Sequence, residues 1–245
     1  MSLEADIRSL ASRLKAAPRV TVLTGAGVSA GSGIPTFRGS EGLWKSFRAE
    51  DLATPEAFAR DPKTVWEWYD WRRQMIARAV PNRAHQVLAD WSRRFPGLTL
   101  VTQNVDGLHE RAGTENVIRF HGSIWELSCW DACGREPWPD DRAPLPELPA
   151  HCPACAGLAR PAVVWFGEPI DPDVLARSRR SVKCEVCLVV GTSSIVYPAA
   201  ALAEEARAQN AYVVEINPEP GASAVDLAIA GKAEEVLERI DVLIR

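Results

Sequence analysis

Short apolar, β-branched runs recur along the chain, and most of them show no polar alternation. They fall at residues 20–23, 98–101, 117–118, 163–166, 188–190 and 212–216. A strand with one wet face alternates apolar and polar side chains. A strand without alternation is buried on both faces, as in a parallel sheet covered by helices. Helical stretches lie between several of the runs. Ile7, Leu10 and Leu14 share one helical face near the start, as do Val236, Leu237, Ile240 and Leu243 near the end. This alternation predicts an open α/β sheet with helices on both faces. The 245 residues, 47% hydrophobic and 24% charged, supply a core for it and exclude wholesale disorder.

Two segments break the alternation. Residues 43–80 carry one strong helix signal, with Asp61 as N-cap and Pro62 at the first helical position. That helix is predicted to run through Trp66, Trp68, Tyr69, Trp71 and Arg72 and to stop before Pro81. Residues 123–159 contain Pro137, Pro139, Pro144, Pro146 and Pro149 and are predicted to be mostly loop. They also hold Cys129, Cys133, Cys152 and Cys155, two close pairs separated by 18 residues. The C-x3-C and C-x2-C spacings suit a tetrahedral zinc site, and four protein ligands leave no open position, so the metal is expected to be structural. A proline-rich segment with little core of its own would draw folding energy from that metal. The expected division is a Rossmann-like domain of residues 1–42, 81–122 and 160–245, with a small helical and zinc-binding module of residues 43–80 and 123–159. Cys184 and Cys187 read as packing cysteines beside a strand, with a redox pair as the alternative.

The net charge is -4, and no basic cluster points to direct nucleic-acid binding. No apolar run approaches the roughly 18 residues of a membrane span. Residues 1–19 are charged throughout and lack a signal-peptide core, so a cytoplasmic location is expected.

The run at 20–23 leads into Thr24-Gly25-Ala26-Gly27-Val28-Ser29-Ala30, a G-x-G-x-x-G/A pattern directly after a strand. Glycine permits a tight turn whose backbone N–H groups approach a pyrophosphate. The pattern alone also suits an ordinary strand–helix turn. It is followed by Gly31-Ser32-Gly33-Ile34-Pro35-Thr36-Phe37-Arg38-Gly39, a glycine- and proline-rich loop rather than a second strand ending in an acid.

Here the chain resembles a known family, the sirtuins, which are NAD-dependent protein-lysine deacylases. Residues 25–38 look like the first sirtuin signature, and Thr102-Gln103-Asn104-Val105-Asp106-Gly107-Leu108-His109 looks like the second. Phe120-His121-Gly122 is similar to the catalytic-histidine segment. Gly191-Thr192-Ser193-Ser194 and Glu215-Ile216-Asn217-Pro218 resemble later nucleotide-binding turns. The matches occur in family order. Gly31 departs from the pattern, since relatives usually carry glutamate there.

The resemblance implies cleavage of NAD by an acylated lysine, giving nicotinamide, free lysine and O-acyl-ADP-ribose. It casts His121 as the base, a role suited to a group that titrates near neutral pH, and Asn104 as the residue that orients the ribose or a water. It implies NAD contacts from Gly25, Ala26, Gly27, Ala30, Thr36, Phe37, Arg38, Trp44, Gln103, Asp106, Gly191, Thr192, Ser193, Asn217 and Ala233. His85, His109 and His151 are expected to be structural or positional. A mono-ADP-ribosyltransferase using the same NAD site is the alternative.

Tyr69 and Arg72 are three residues apart on one helix and share a face. A phenol and a guanidinium side by side suit a carboxylate. The Tyr-x-x-Arg pair is similar to that of the sirtuin class III branch, which removes malonyl and succinyl groups. Val163 and Phe166 lie in a segment that resembles the one pairing with the backbone of an acyl-lysine protein or peptide.

Overall fold

The computed structural model describes residues 2–36, 48–192, 199–221 and 225–245. Among these, six parallel strands form one sheet and three antiparallel strands a second. In chain order the strands are β1 (Val20–Thr24), β2 (Leu98–Thr102), β3 (Ile118–Arg119), β4 (Gly122–Cys129), β5 (Trp138–Pro139), β6 (Ala159–Val163), β7 (Val186–Val190), β8 (Tyr212–Asn217) and β9 (Leu227–Ala230). The parallel sheet has the order β3-β2-β1-β7-β8-β9. The chain winds outward from β1 to β3, then crosses back to β7 and winds outward the other way. Its direction reverses between β1 and β7, and such a reversal opens a crevice at the carboxyl ends of the two strands.

Both faces of this sheet are apolar. Val22, Leu100, Leu188 and Val214 pack on one side against the helices Leu3–Ala16, Arg83–Arg94 and Ala233–Ile244. Leu23, Val101, Cys187 and Val189 pack on the other with Val182, Leu202 and Ala206. Every residue of β7 is buried, and each Val or Leu fully withdrawn from water contributes about 1.5–3 kcal/mol. Cys184 lies just before β7 and is buried too.

The Pro62–Arg78 helix begins as expected, with the Asp61 carboxylate accepting from the Thr64 N–H at 3.0 Å. It stops two residues earlier than expected, and Val80 is exposed. Residues 123–159 are mostly loop, as expected, but they open within the eight-residue strand β4, before the prolines begin. Pro139 is tolerated because β5 is an edge strand. One expectation for the small region, that it has little core of its own, needs correction. Phe58, Trp66, Trp68, Tyr69 and Ile76 pack against Ile124, Leu127, Leu145 and Trp165, and the Trp66 indole donates to the Ala159 carbonyl at 2.8 Å. The run at 163–166 is likewise not a strand of the parallel sheet. Its first residue ends β6, and the rest leaves the antiparallel sheet.

Candidate active site

The two turns that leave β1 and β7 interlock at the reversal point. Gly25 N–H donates to the Val190 carbonyl at 3.1 Å and Gly27 N–H to the Gly191 carbonyl at 2.8 Å. A Cβ on Gly25 would stand 2.7 Å from the Thr192 Cβ, and one on Gly27 would stand 2.8 Å from the Gly191 Cα. Gly191 itself has φ +61° and faces the Val28 nitrogen. Only glycine fits this approach, and it leaves a narrow backbone cradle at the crevice. Around it, Gln103 donates to the Thr192 hydroxyl at 3.0 Å and Asn217 to the Thr192 carbonyl at 3.1 Å. Ala26 lies in the same turn, and Ala30 ends its short helix. Ala233 opens the Ala233–Ile244 helix, buried against the same core as Val28. Thr36 is partly exposed beyond the turn. Gly31 leaves room for Glu234, whose Oε1 would lie 2.6 Å from a Cβ there.

Beneath the cradle lies a buried polar network. Ser29 donates to Asp106 at 2.7 Å, and Asn104 donates to the Gly25 carbonyl at 3.0 Å and to the Ser29 hydroxyl at 3.2 Å. Burial pushes the Asp106 carboxyl above the ordinary carboxylate range, partly offset by the Leu108 N–H and the Ser29 hydroxyl. The His85 Nε2 lies 3.4 Å from the Ser29 Oγ, while its Nδ1 faces the Asn82 N–H at 3.3 Å. The same Nδ1 lies 3.1 Å from the Asn82 amide oxygen. The His109 ring lies 4.8 Å from that of His85 and bonds Thr24 at 3.0 Å. Burial holds both imidazoles down to about 3, so both stay neutral.

His121 follows β3 at the same sheet edge. Its Nδ1 lies 3.1 Å from the Gln103 carbonyl oxygen, which can only accept. Nδ1 therefore carries the proton, and Nε2 keeps a free lone pair. Burial lowers the pKa of this ring and the carbonyl raises it again, with burial the larger effect, so the ring is neutral at pH 7. Its main-chain carbonyl accepts from Val164 N–H at 3.0 Å. Val163 is buried, while Phe166 is exposed and donates its N–H to the Ala53 carbonyl at 2.9 Å.

Tyr69 is buried, and its hydroxyl accepts from the Trp165 indole N–H at 2.8 Å. Burial drives its pKa up to about 12, so the phenol keeps its proton. The Arg72 guanidinium lies 5.0 Å from the Trp68 ring centre and 5.8 Å from that of Tyr69. Burial lowers its pKa, opposed by Tyr69 and Asp106.

The four cysteines converge, with all four Sγ atoms within 4.8 Å of one another. Cys129 and Cys155 are 3.6 Å apart, and Cys133 and Cys152 are 3.7 Å apart. A disulfide needs about 2.05 Å. Four thiolates on a tetrahedral zinc at about 2.3 Å would stand about 3.8 Å apart, so this donor set fits zinc.

The sequence model of the Sir2 family matches residues 25–198, which include both interlocked turns and His121. The chain belongs to the Sir2 family. An NAD-dependent protein deacylase of Aquifex aeolicus is 51% identical over 90% of this chain and 93% of the relative. One from Thermus thermophilus is 52% identical over 85% and 82%. Among solved structures, a Sir2 homologue in complex with NAD aligns at TM-score 0.91 and 44% identity, covering 97% of this chain and 93% of that one. A Sir2 protein bound to a myristoylated histone peptide aligns at 0.78 and 31%, covering 98% and 97%.

Of the expected NAD contacts, Phe37, Arg38, Trp44 and Ser193 lie outside the described residues. The remaining matched residues of the two glycine turns and the 102–109 segment meet at one crevice, joined there by His121. Tyr69 and Arg72 lie on the neighbouring helix, and the cysteines form a separate cluster. Sequence reasoning assigned no role to Ser29, which lies inside the first signature two residues after Gly27. It also left Trp165 and Arg73 without a role, although both sit in or beside the singled-out aromatic runs.

Proposed function

We propose that this sirtuin removes acyl groups from protein lysines at the expense of NAD, with His121 as its base. The observation that carries the reading is the His121 ring, held through Nδ1 with Nε2 unbonded among the described residues, at the sheet edge where the two glycine turns interlock. A dinucleotide is supported by the place of the interlocked turns, at the carboxyl ends of β1 and β7 where the winding of the parallel sheet reverses. When bound, NAD supplies a nicotinamide leaving group and an electrophilic ribose carbon. The Gly25 and Gly27 N–H groups are spent on the Val190 and Gly191 carbonyls, so within the turn the Ala26 N–H is the donor offered to pyrophosphate. Gln103, Thr192 and Asn217 hold ribose hydroxyls, and Asn104 orients the reacting ribose or a water. Asp106 meets the nicotinamide amide. His121 takes a hydroxyl proton at Nε2, and the Gln103 carbonyl stabilises the cation that results. Gly25, Ala26, Ala30, Thr36, Phe37, Arg38, Trp44, Ser193 and Ala233 complete the proposed NAD contacts.

The substrate is an acyl-lysine peptide laid beside Val163 and Phe166 as an added strand. Succinyl and malonyl groups are preferred, with acetyl accepted. Arg72 and the protonated Tyr69 on one helix face support this, because a guanidinium and a phenol can both donate to a terminal carboxylate. The cysteine cluster holds structural zinc. The division into a Rossmann-like part and a small part is supported by the two sheets and their separate core clusters. A cytoplasmic location is supported by cysteines placed to bind metal rather than to form disulfides.

The test is incubation of acetyl-, malonyl- and succinyl-lysine peptides with and without NAD, with products read by mass spectrometry. NAD-dependent release of nicotinamide and O-acyl-ADP-ribose is expected, reduced roughly 10²–10⁴-fold by His121→Ala. ADP-ribosylated protein with the acyl group intact would instead establish the transferase alternative. Arg72→Met is expected to impair desuccinylation more than deacetylation, and equal losses would refute the acyl preference.

A further inference from the structure

The hydroxyl of Tyr69 has two roles to distribute, one as donor and one as acceptor. An indole Nε1–H donates and never accepts. The Trp165 indole donates to the Tyr69 oxygen at 2.8 Å, so on that side the phenol is an acceptor and its own proton must point elsewhere. Trp165 has little freedom to release it. The side chain is 2% exposed, and its ring is stacked beneath the Arg160 guanidinium at 3.5 Å. Its backbone N–H donates to Glu168 at 2.8 Å, and that carboxylate also accepts from Arg160 at 2.8 Å. Phe58 packs against the same indole with ring centres 5.3 Å apart. The indole is thus held by Arg160, by its main chain and by the Phe58 ring.

We propose that Trp165 is a positioning residue for acyl recognition. Its indole N–H fixes the Tyr69 hydroxyl as a donor toward the acyl group and so favours acyl groups that end in a carboxylate. The inference rests on the reading of Tyr69 and Arg72 as the acyl-binding pair. A carboxylate accepts from both the phenol and the guanidinium, whereas a methyl end accepts from neither. If the indole were replaced by a ring without an N–H, the phenol could rotate and spend its proton on another acceptor. The effect would fall on charged acyl groups alone.

The experiment compares wild type, Trp165→Phe, Tyr69→Phe and the double variant on matched succinyl- and acetyl-lysine peptides. Trp165→Phe is expected to raise KM for the succinyl peptide roughly three- to ten-fold, the worth of one hydrogen bond, with kcat nearly constant. The acetyl peptide should change less than about two-fold, below the worth of that bond. In the Tyr69→Phe background the Trp165 substitution should add nothing, because the hydroxyl it orients is gone. Equal losses on both peptides, or a loss that persists without the Tyr69 hydroxyl, would overturn the proposal. Where Trp165→Phe fails to fold, benzothienylalanine at position 165 keeps the ring size without the N–H and makes the same comparison. If Tyr69→Phe and Arg72→Met impair both peptides alike, the acyl reading itself fails and takes this inference with it. If those variants are selective for succinyl and the Trp165 change is silent, only the role of Trp165 fails.

Discussion

Leu188, at the centre of the parallel sheet, and Arg73, at the centre of the tryptophan-rich region, are both fully buried, but they hold their surroundings in different ways. Leu188 is one of many apolar side chains spread over two sheet faces. The Arg73 guanidinium donates to the carbonyls of Ile124, Asp140 and Arg142 and to the Asp140 carboxylate. It ties the Pro62–Arg78 helix to β4 and to the loop after β5. The Trp66 indole on Ala159 and the four thiolates are further single ties of this kind. Loss of one apolar contact leaves its neighbours to share the burial. Loss of one polar tie leaves buried groups without partners, at a cost of about 1–3 kcal/mol each and more when charged. The sheet should therefore respond to substitution by degrees, and the tryptophan-rich region abruptly.

Four measurements can break or sharpen that contrast. The largest effect is expected from metal removal, since structural zinc contributes on the order of 10 kcal/mol in small zinc domains. Chelation should produce an early unfolding transition in tryptophan fluorescence while the far-UV signal of the parallel sheet persists. A single joint transition would remove the distinction between the regions. Arg73→Met leaves Asp140 buried with one partner fewer and should destabilise by about 3–5 kcal/mol in urea. Leu188→Val should cost only about 0.5–1.5 kcal/mol. Equal costs would show that the polar tie is not special.

The third measurement concerns the two imidazoles beneath the crevice. Unfolded histidine titrates near 6.5, while folded His85 and His109 refuse protons until about 3. Between these values the unfolded chain binds more protons, so stability falls as pH drops below about 6.5. The slope is up to about 1.4 kcal/mol per pH unit for each ring. Urea midpoints from pH 7 to pH 5 read it, and His109→Gln should halve it. A flat profile would show that the buried network admits charge. The fourth measurement concerns the interlocked turns. Gly191→Ala places a side chain at φ +61° against Val28 and should cost about 1–3 kcal/mol, with NAD affinity falling alongside. Isothermal titration checks the second part.

The contrast also explains what could be read from the sequence. The strands of the parallel sheet announce themselves, because burial on both faces removes polar alternation from residues 20–23, 98–101 and 188–190. Local spacing likewise marks the glycine turn and the cysteine pairs. The polar ties carry no such mark. Arg72 and Arg73 are neighbours, and a helix turns about 100° between them. One faces Tyr69 and the other passes into the core, yet nothing in the sequence says which. Ser29 and Asp106 are 77 positions apart, and Trp165 and Tyr69 are 96. Such bonds follow from packing after the elements have formed. The strand β4 was hidden for a related reason, since its pairing partner β6 lies beyond a proline-rich stretch.

One consequence concerns His121. Its ring is fastened to the parallel sheet through Gln103, while its carbonyl is fastened to Val164, at the exit of the antiparallel sheet. The residue bridges two bodies that are cohesive in different ways. A slight slide of one body against the other would pull these two anchors apart and turn the imidazole about its own side-chain bonds. Alterations far out along that join should accordingly be felt as changes in turnover while ligand affinities stay put.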